Sequence, residues 1–323
     1  MNNKPYEEIK VVLAEPRSSL RKEYLGVLKD LGCKNIIETG NIKDVHTALE
    51  EGGVDLLIGD TTLPEGDLSE VIHHIRHGQC GDNPFVIAMI LVSKSDKKLI
   101  NKVIDSGADD ILIKPLDAAQ LRERLLSFTR GRKRFVVTSD YIGPDRRGKN
   151  REEESSIPLI KAPNPILVRL NGNKGSGAMR KAVARTLGEV NEQKVERHAY
   201  SVHWLMERMM DVNSGKTPAS EIDMEEQFHR LNEVATDISS RLSGTNYRHA
   251  AEMCLTLEKM TSILKETPDL AGDAEIKLMG KLTKVIKRKC NGNCADEEMP
   301  PISTPEIIAA RKAEARLTSL VTD

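Results

Sequence analysis

The sequence predicts a doubly wound α/β domain followed by an all-α helical bundle region. Two observations predict the first part: five short apolar runs spread over the first 130 or so residues, and amphipathic stretches between them. A third predicts the second: from about residue 177 onward the apolar residues recur only at helical spacing. The runs Ile9–Ala14, Asn35–Thr39, Val54–Gly59, Phe85–Leu91 and Asp110–Ile113 read as strands. Between them, Leu20, Tyr24, Val27, Leu28 and Leu31 stand three and four residues apart, which places them on one helix face. The uninterrupted apolar strands VDLLIG and FVIAMIL imply a parallel sheet covered on both faces, with ligands bound beyond the carboxyl ends of the strands.

The last βα unit ends in a helix from about Asp117 to Thr129, and the composition changes at Arg130–Arg134. Residues 1–130 are therefore expected to form the first domain. Residues 131–176 mix Gly, Pro and dense charge with few apolar residues and read as a linker. Residues 177–323 read as helices. Met179 to Met209 mark one long helix with room for a break. A second follows Thr217-Pro218, which resembles an N-cap with proline in the first turn. Tyr247 to Leu264, Ile276 to Ile286 and a last helix opened by Thr304-Pro305 complete the bundle.

Whole-chain numbers narrow the function. With 48 basic and 49 acidic residues the net charge is -1, which argues against affinity for nucleic acid through bulk charge. Aromatics at 3% leave few platforms for stacking bases. Five cysteines without regular spacing suggest reduced thiols in the cytoplasm. No apolar run approaches the roughly 18 to 20 residues that span a bilayer, so no membrane partner is expected.

Three chemistry-bearing residues fall at strand ends: Glu15 after the first strand, Asp60 after the third, and Lys114 followed by Pro115 after the fifth. Two carboxylates held together repel, and a hard divalent cation such as Mg²⁺ relieves the repulsion. A nearby lysine neutralises an incoming phosphoryl group, so Asp60 is the candidate nucleophile and acceptor.

The segments VVLAEPR, VDLLIGDTTLPEGD and SGADDILIKPL resemble the receiver domains of bacterial two-component response regulators, over about residues 8–130. The resemblance implies a flavodoxin-like fold that takes a phosphoryl group onto Asp60 from a sensor histidine kinase or a histidine phosphotransfer protein. It implies Mg²⁺ held by Glu15, Asp60 and the Thr62 backbone carbonyl, with Lys114 contacting the phosphate. Ala14 replaces the first of the family's paired acids. The family's switch hydroxyl falls on Val92, with Ser93 beside it, and the switch aromatic on Ile111. Losing a hydrogen bond to a charged phosphate costs about 1.5 to 3 kcal/mol, so phosphorylation is expected to shift this domain less than usual, or by another route.

Weaker signals surround this core. Tyr141–Arg147, the sequence YIGPDRR, resembles a segment that follows receivers in some alphaproteobacterial response regulators; its paired arginines either recognise an anionic partner group or are solvated charges beside a proline turn. Arg130–Arg134 and Asp109-Asp110 read as solvated charge. His203 and His249 sit on predicted helices and read as structural, and Cys290 with Cys294 are too few ligands for a metal site. The sequence thus predicts a response regulator whose helical region acts through a protein partner or a homodimer. No acid, base or nucleophile set stands out among those helices, so the chain is expected not to be an enzyme. The alternatives are a DNA-binding regulator with a hidden helix-turn-helix, an enzyme switched by the receiver, and a receiver-like module that acts without phosphorylation.

Overall fold

The computed structural model describes residues 6–93, 97–147, 157–171, 176–242, 248–290 and 305–322. It separates into two compact units, Met1–Val190 and Asn191–Asp323. In the first, β1 (Lys10–Ala14), α1 (Ser18–Asp30), β2 (Asn35–Thr39), α2 (Ile42–Glu50) and β3 (Leu56–Asp60) come first. A small hairpin of β4 (Thr62–Leu63) and β5 (Gly66–Asp67) follows, then α3 (Leu68–Arg76), β6 (Ile87–Val92), α4 (Lys97–Asp105), β7 (Asp110–Ile113) and α5 (Ala118–Arg130). The five long strands lie parallel, as the apolar runs predict, in the order β2-β1-β3-β6-β7. The β4-β5 hairpin is too short to register as a periodic pattern in the sequence.

Alternation along the strands builds two cores. Val11, Leu13, Leu56, Ile58, Ile87, Met89 and Leu91 face α1 and α5. Val12, Ala14, Leu57, Ala88, Ile90 and Val92 face α2, α3 and α4. Successive residues point to opposite faces, so apolar residues at every strand position fill both layers, each large side chain worth about 1.5 to 3 kcal/mol of burial. Gly59 leaves no room for a side chain: a Cβ there would stand 2.7 Å from the Ala14 carbonyl oxygen. α5 is started by Asp117, which forms a reciprocal capping box with Gln120.

Residues 132–147 and 157–171 differ from the expected linker, for they are folded against the first unit. β8 (Phe135–Val137) and β9 (Ile142–Pro144) form an antiparallel hairpin. Phe135, Val137, Ile142 and Ile160 pack with Phe85 in a core of their own. α6 (Pro165–Leu170) adds Ile166 to the core beneath α1 and α5, and Arg169 pairs with Asp55 at 2.9 Å. A composition average misses this because the apolar residues are sparse, yet Phe135, Val136, Val137, Ile142, Ile160, Ala162 and Ile166 are buried.

Two of the charges expected in solvent, Asp109 and Arg132, are inside, while Arg130, Lys133 and Arg134 are exposed as expected. Asp109 takes Arg76 Nη2 at 2.9 Å and Arg132 Nε and Nη2 at 2.7 and 2.8 Å. Arg76 reaches the carbonyls of Gly107, Pro84 and Val86 as well. Both guanidiniums lie over the Phe135 ring, at 5.3 and 4.6 Å from its centroid. Burial pulls Arg76 down to about 10, with Asp109 opposing, and it stays cationic at neutral pH. The YIGPDRR segment belongs to this docked hairpin. Gly143 meets Gly107 backbone to backbone, where a Cβ on Gly143 would lie 2.6 Å from the Gly107 Cα. The Tyr141 hydroxyl donates to the Pro144 carbonyl, Arg146 Nη2 donates to the Ala108 carbonyl, and Arg147 pairs with Asp145. These arginines hold their own fold together.

α7 (Ser176–Asn213) is one continuous helix without the break the sequence allows. Val183 and Val190 belong to the Phe135 core of the first unit. The second unit is helical: the later turns of α7, then α8 (Met224–Leu242), α9 (Arg248–Leu264), α10 (Asp273–Lys289) and α11 (Pro305–Thr322). Met206, Met209, Met253, Met260 and Met279 lie in its core with Phe228, Leu231 and Leu282, a use suited to their pliable shape. The expected Thr217-Pro218 start is displaced. A 3₁₀ turn occupies Ala219–Glu221, and Asp223 accepts from the backbone N–H of Glu225 and Glu226 at the head of α8. His198 Nε2 lies 2.8 Å from Asp237 Oδ2, which Arg241 also holds. His203 is half-buried with Nε2 3.4 Å from Glu207. The His249 side chain and Cys294 lie outside the described residues. Tyr200 and Trp204 are exposed on α7, with Lys287 over the first ring and Arg208 over the second. Among the described residues, no helix is long and apolar enough to cross a membrane.

Candidate functional site

The strand order reverses between β1 and β3, and side chains beyond the carboxyl ends of β1, β3, β6 and β7 converge there. Register fixes the approach: Ala14 pairs with Gly59, Asp60 with Leu91, and Val92 with Ile113. The backbone ladder runs on one residue past two strand ends. Glu15 N–H donates to Thr39 O at 3.0 Å, and Lys114 N–H to Val92 O at 2.8 Å. Their side chains are thereby aimed at one rim.

Lys114 Nζ donates to both Glu15 Oε2 and Asp60 Oδ2, so the three residues singled out in the sequence meet at a single cation. Glu15 is fully buried and Asp60 nearly so. The other oxygens are also engaged: Thr62 N–H donates to Asp60 Oδ1 at 3.0 Å, and Arg17 N–H to Glu15 Oε1 at 3.1 Å. The Thr62 donation ties the β4 segment to the Asp60 carboxylate.

Of the two switch positions, Val92 lies wholly inside the core facing α2, α3 and α4, and Ile111 packs beside that core. The hydroxyl at the rim belongs to Ser93, whose Oγ stands 3.4 Å from Asp60 Oδ2. Strand alternation sends Val92 inward and leaves the next residue at the end of β6, so the hydroxyl is displaced by one residue. Arg17 was missed by the motif reading: its Nε is 3.3 Å from Glu15 Oε1 and its Nη2 3.9 Å from Asp60 Oδ2. An open groove of about 740 Å³, lined by Arg17, Tyr24, Ser93, Lys114 and Gln120, gives access from the α1 and α5 side.

The donor set suits a hard divalent ion. Two buried carboxylates lie against one ammonium, and Mg²⁺ is commonly bound by one or two carboxylates plus phosphate oxygens. Buried acids so close need countercharge, which the buried Lys114 provides here.

Comparison with known proteins agrees with the fold. The family model of the response regulator receiver domain matches residues 11–126, so this part of the chain carries a receiver domain. Swarming motility regulation protein RssB of Serratia marcescens is 32% identical over 135 residues, covering 41% of this chain and 58% of that protein. Chemotaxis protein CheY-3 of Vibrio cholerae is 21% identical over 119 residues, covering 37% of this chain and 90% of that protein. Among solved structures, the chemotaxis response regulator CheY4 of the same organism aligns at 20% identity over 37% of this chain and 98% of its own, with a TM-score of 0.33. A cyclic di-GMP phosphodiesterase of Thermotoga maritima is 20% identical over 224 residues, 69% of this chain. That similarity extends beyond the residues the receiver family accounts for, and it overturns the expectation that the chain is not an enzyme. The chain spans 56% of the length of that phosphodiesterase and 58% of that of RssB.

Proposed function

We propose that Asp60 accepts a phosphoryl group from a sensor histidine kinase or a histidine phosphotransfer protein in the cytoplasm, and that the helical unit passes the phosphorylated state on. The observation that carries this reading is the convergence of Glu15 and Asp60 on Lys114 Nζ at the carboxyl rim of a receiver domain. Asp60 attacks the phosphorus through a carboxylate oxygen. Lys114 follows the charge that develops on the phosphoryl oxygens, and Ser93 supplies a hydroxyl to the same carboxylate. Glu15, Asp60 and the Thr62 carbonyl are the residues that would hold Mg²⁺, which when bound screens the repulsion between the carboxylates and the incoming phosphate. Val92 and Ile111, as the residues at the switch positions, replace a hydroxyl and an aromatic, so the conformational response is carried by Ser93 and the α4 side of the sheet.

Incubating the full chain with acetyl phosphate and Mg²⁺, followed by intact mass measurement, tests the acceptor. One phosphoryl mass is expected on wild type and none on Asp60→Asn; equal labelling of both would remove Asp60 from its role. Sizing the same samples asks whether the helical unit answers phosphorylation by self-association.

A second reading, a catalytic output acting on a cyclic dinucleotide, is favoured by the length of the match to the phosphodiesterase. It predicts turnover of cyclic di-GMP that changes on phosphorylation of Asp60. Turnover by neither form would leave a protein partner as the target.

A further inference from the structure

Position 14, where the resemblance calls for an acid, is an alanine buried in β1 against Gly59, and a cation has come to the site from the chain just beyond it. Arg17 folds back over Glu15, giving its backbone N–H and its Nε to Oε1, the oxygen that Lys114 does not use. Its Nη2 faces Asp60 Oδ2 at 3.9 Å, too far for a hydrogen bond and near enough for charge. The side chain is 54% exposed while Glu15 is at 0%. Arg17 is therefore the solvent-side wall of the site and lines the groove that leads to it. Glu15 already has Lys114, and an ion pair with one half-exposed member adds little stability, so fold maintenance gives Arg17 little to do. A planar guanidinium with several donors is the side chain best matched to phosphoryl oxygens.

We infer that Arg17 contacts the phosphoryl group on Asp60, supplying from the protein itself positive charge at a site short of one metal-holding acid. The inference rests on Asp60 being the acceptor. In transfer from acetyl phosphate, the bond from phosphorus to the acetyl oxygen breaks, the bond from Asp60 Oδ to phosphorus forms, and acetate leaves with the electron pair. Arg17 neither gives nor takes a proton; it donates hydrogen bonds to phosphoryl oxygens. Before transfer its hold on Glu15 competes with a divalent cation for the same carboxylate.

The test uses the full chain as wild type, Arg17→Ala, Arg17→Lys and Asp60→Asn. Beryllofluoride with Mg²⁺ serves as a phosphoryl mimic and is titrated by amide spectra of Thr61 and Ser93; Mg²⁺ alone is titrated in parallel, and thermal unfolding is recorded for each variant. Loss of a charge-assisted hydrogen bond predicts beryllofluoride affinity in Arg17→Ala down by about tenfold or more. Arg17→Lys recovers part of it, and affinity for Mg²⁺ alone is unchanged or higher because Glu15 is released. Beryllofluoride affinity within about twofold of wild type in both variants, or Mg²⁺ affinity that falls in step with it, overturns the inference. Asp60→Asn separates the two readings. Acetyl phosphate labelling that survives in Asp60→Asn defeats the acceptor assignment itself, whereas labelling lost there with unaltered Arg17 variants defeats only the role of Arg17.

Discussion

Asp109 shows how far one side chain can depart from what its neighbours in sequence suggest. It stands in a turn beside Asp110, a setting that ordinarily leaves a carboxylate in water, yet Arg76 and Arg132 enclose it from segments 33 and 23 residues away. Nothing local announces those partners. Removing it would leave two buried guanidiniums without a counterion, and breaking a buried pair in that way costs about 3 to 5 kcal/mol. Asp109→Ala is therefore expected to lower the denaturant midpoint of the full chain strongly, while Asp110→Ala, on a half-buried residue, changes it little. The rim triad was legible for the opposite reason: Asp60 ends a strand and Glu15 and Lys114 each follow one, and parallel topology alone brings such positions to one rim. Ser93 and Arg17 were harder to see, since they reach the site by a one-residue offset and by a fold-back of the chain, neither of which leaves a spacing signature.

Whole elements follow the same division. All five long strands and the helices between them could be found by apolar runs and three-to-four spacing, because each buries a face that repeats along the chain. The β8-β9 hairpin could not, since three-residue strands repeat nothing and their stability comes from Phe135, Gly107 and the arginine pair. In the second unit, α8 was legible in its apolar stripe while its start depended on a capping aspartate. That helix carries a pH response. Burial would raise the Asp237 carboxyl, but the His198 ring 2.8 Å away and the hydrogen-bonded Arg241 guanidinium outweigh it and hold the group well below the usual carboxylate range. A depressed carboxyl binds fewer protons folded than unfolded, so its contribution is complete above the ordinary carboxylate value, about pH 4, and fades as pH falls below it. Helical circular dichroism during thermal unfolding should show a midpoint that drops on acidification below about pH 4 in wild type, with a flatter dependence in Asp237→Asn.

At the scale of the molecule, the first unit is larger than the receiver match, which stops at residue 126, before α5 ends. A fragment ending at Arg130 would lose Arg132 and Phe135, uncover Phe85 and Val86, and strand Asp109 with one guanidinium in place of two. Such a fragment is expected to melt well below one ending at Val190 and to self-associate at concentrations where the longer piece stays monomeric, as scanning calorimetry and light scattering would record. Trp204 is the sole tryptophan of the chain and sits half-exposed in the helical unit, with a guanidinium 5.0 Å from its ring centroid. Indole emission thus arises from that unit only, with no background from the receiver. Excited selectively, it offers an unlabelled optical gauge of whether an event at Asp60 reaches the helices.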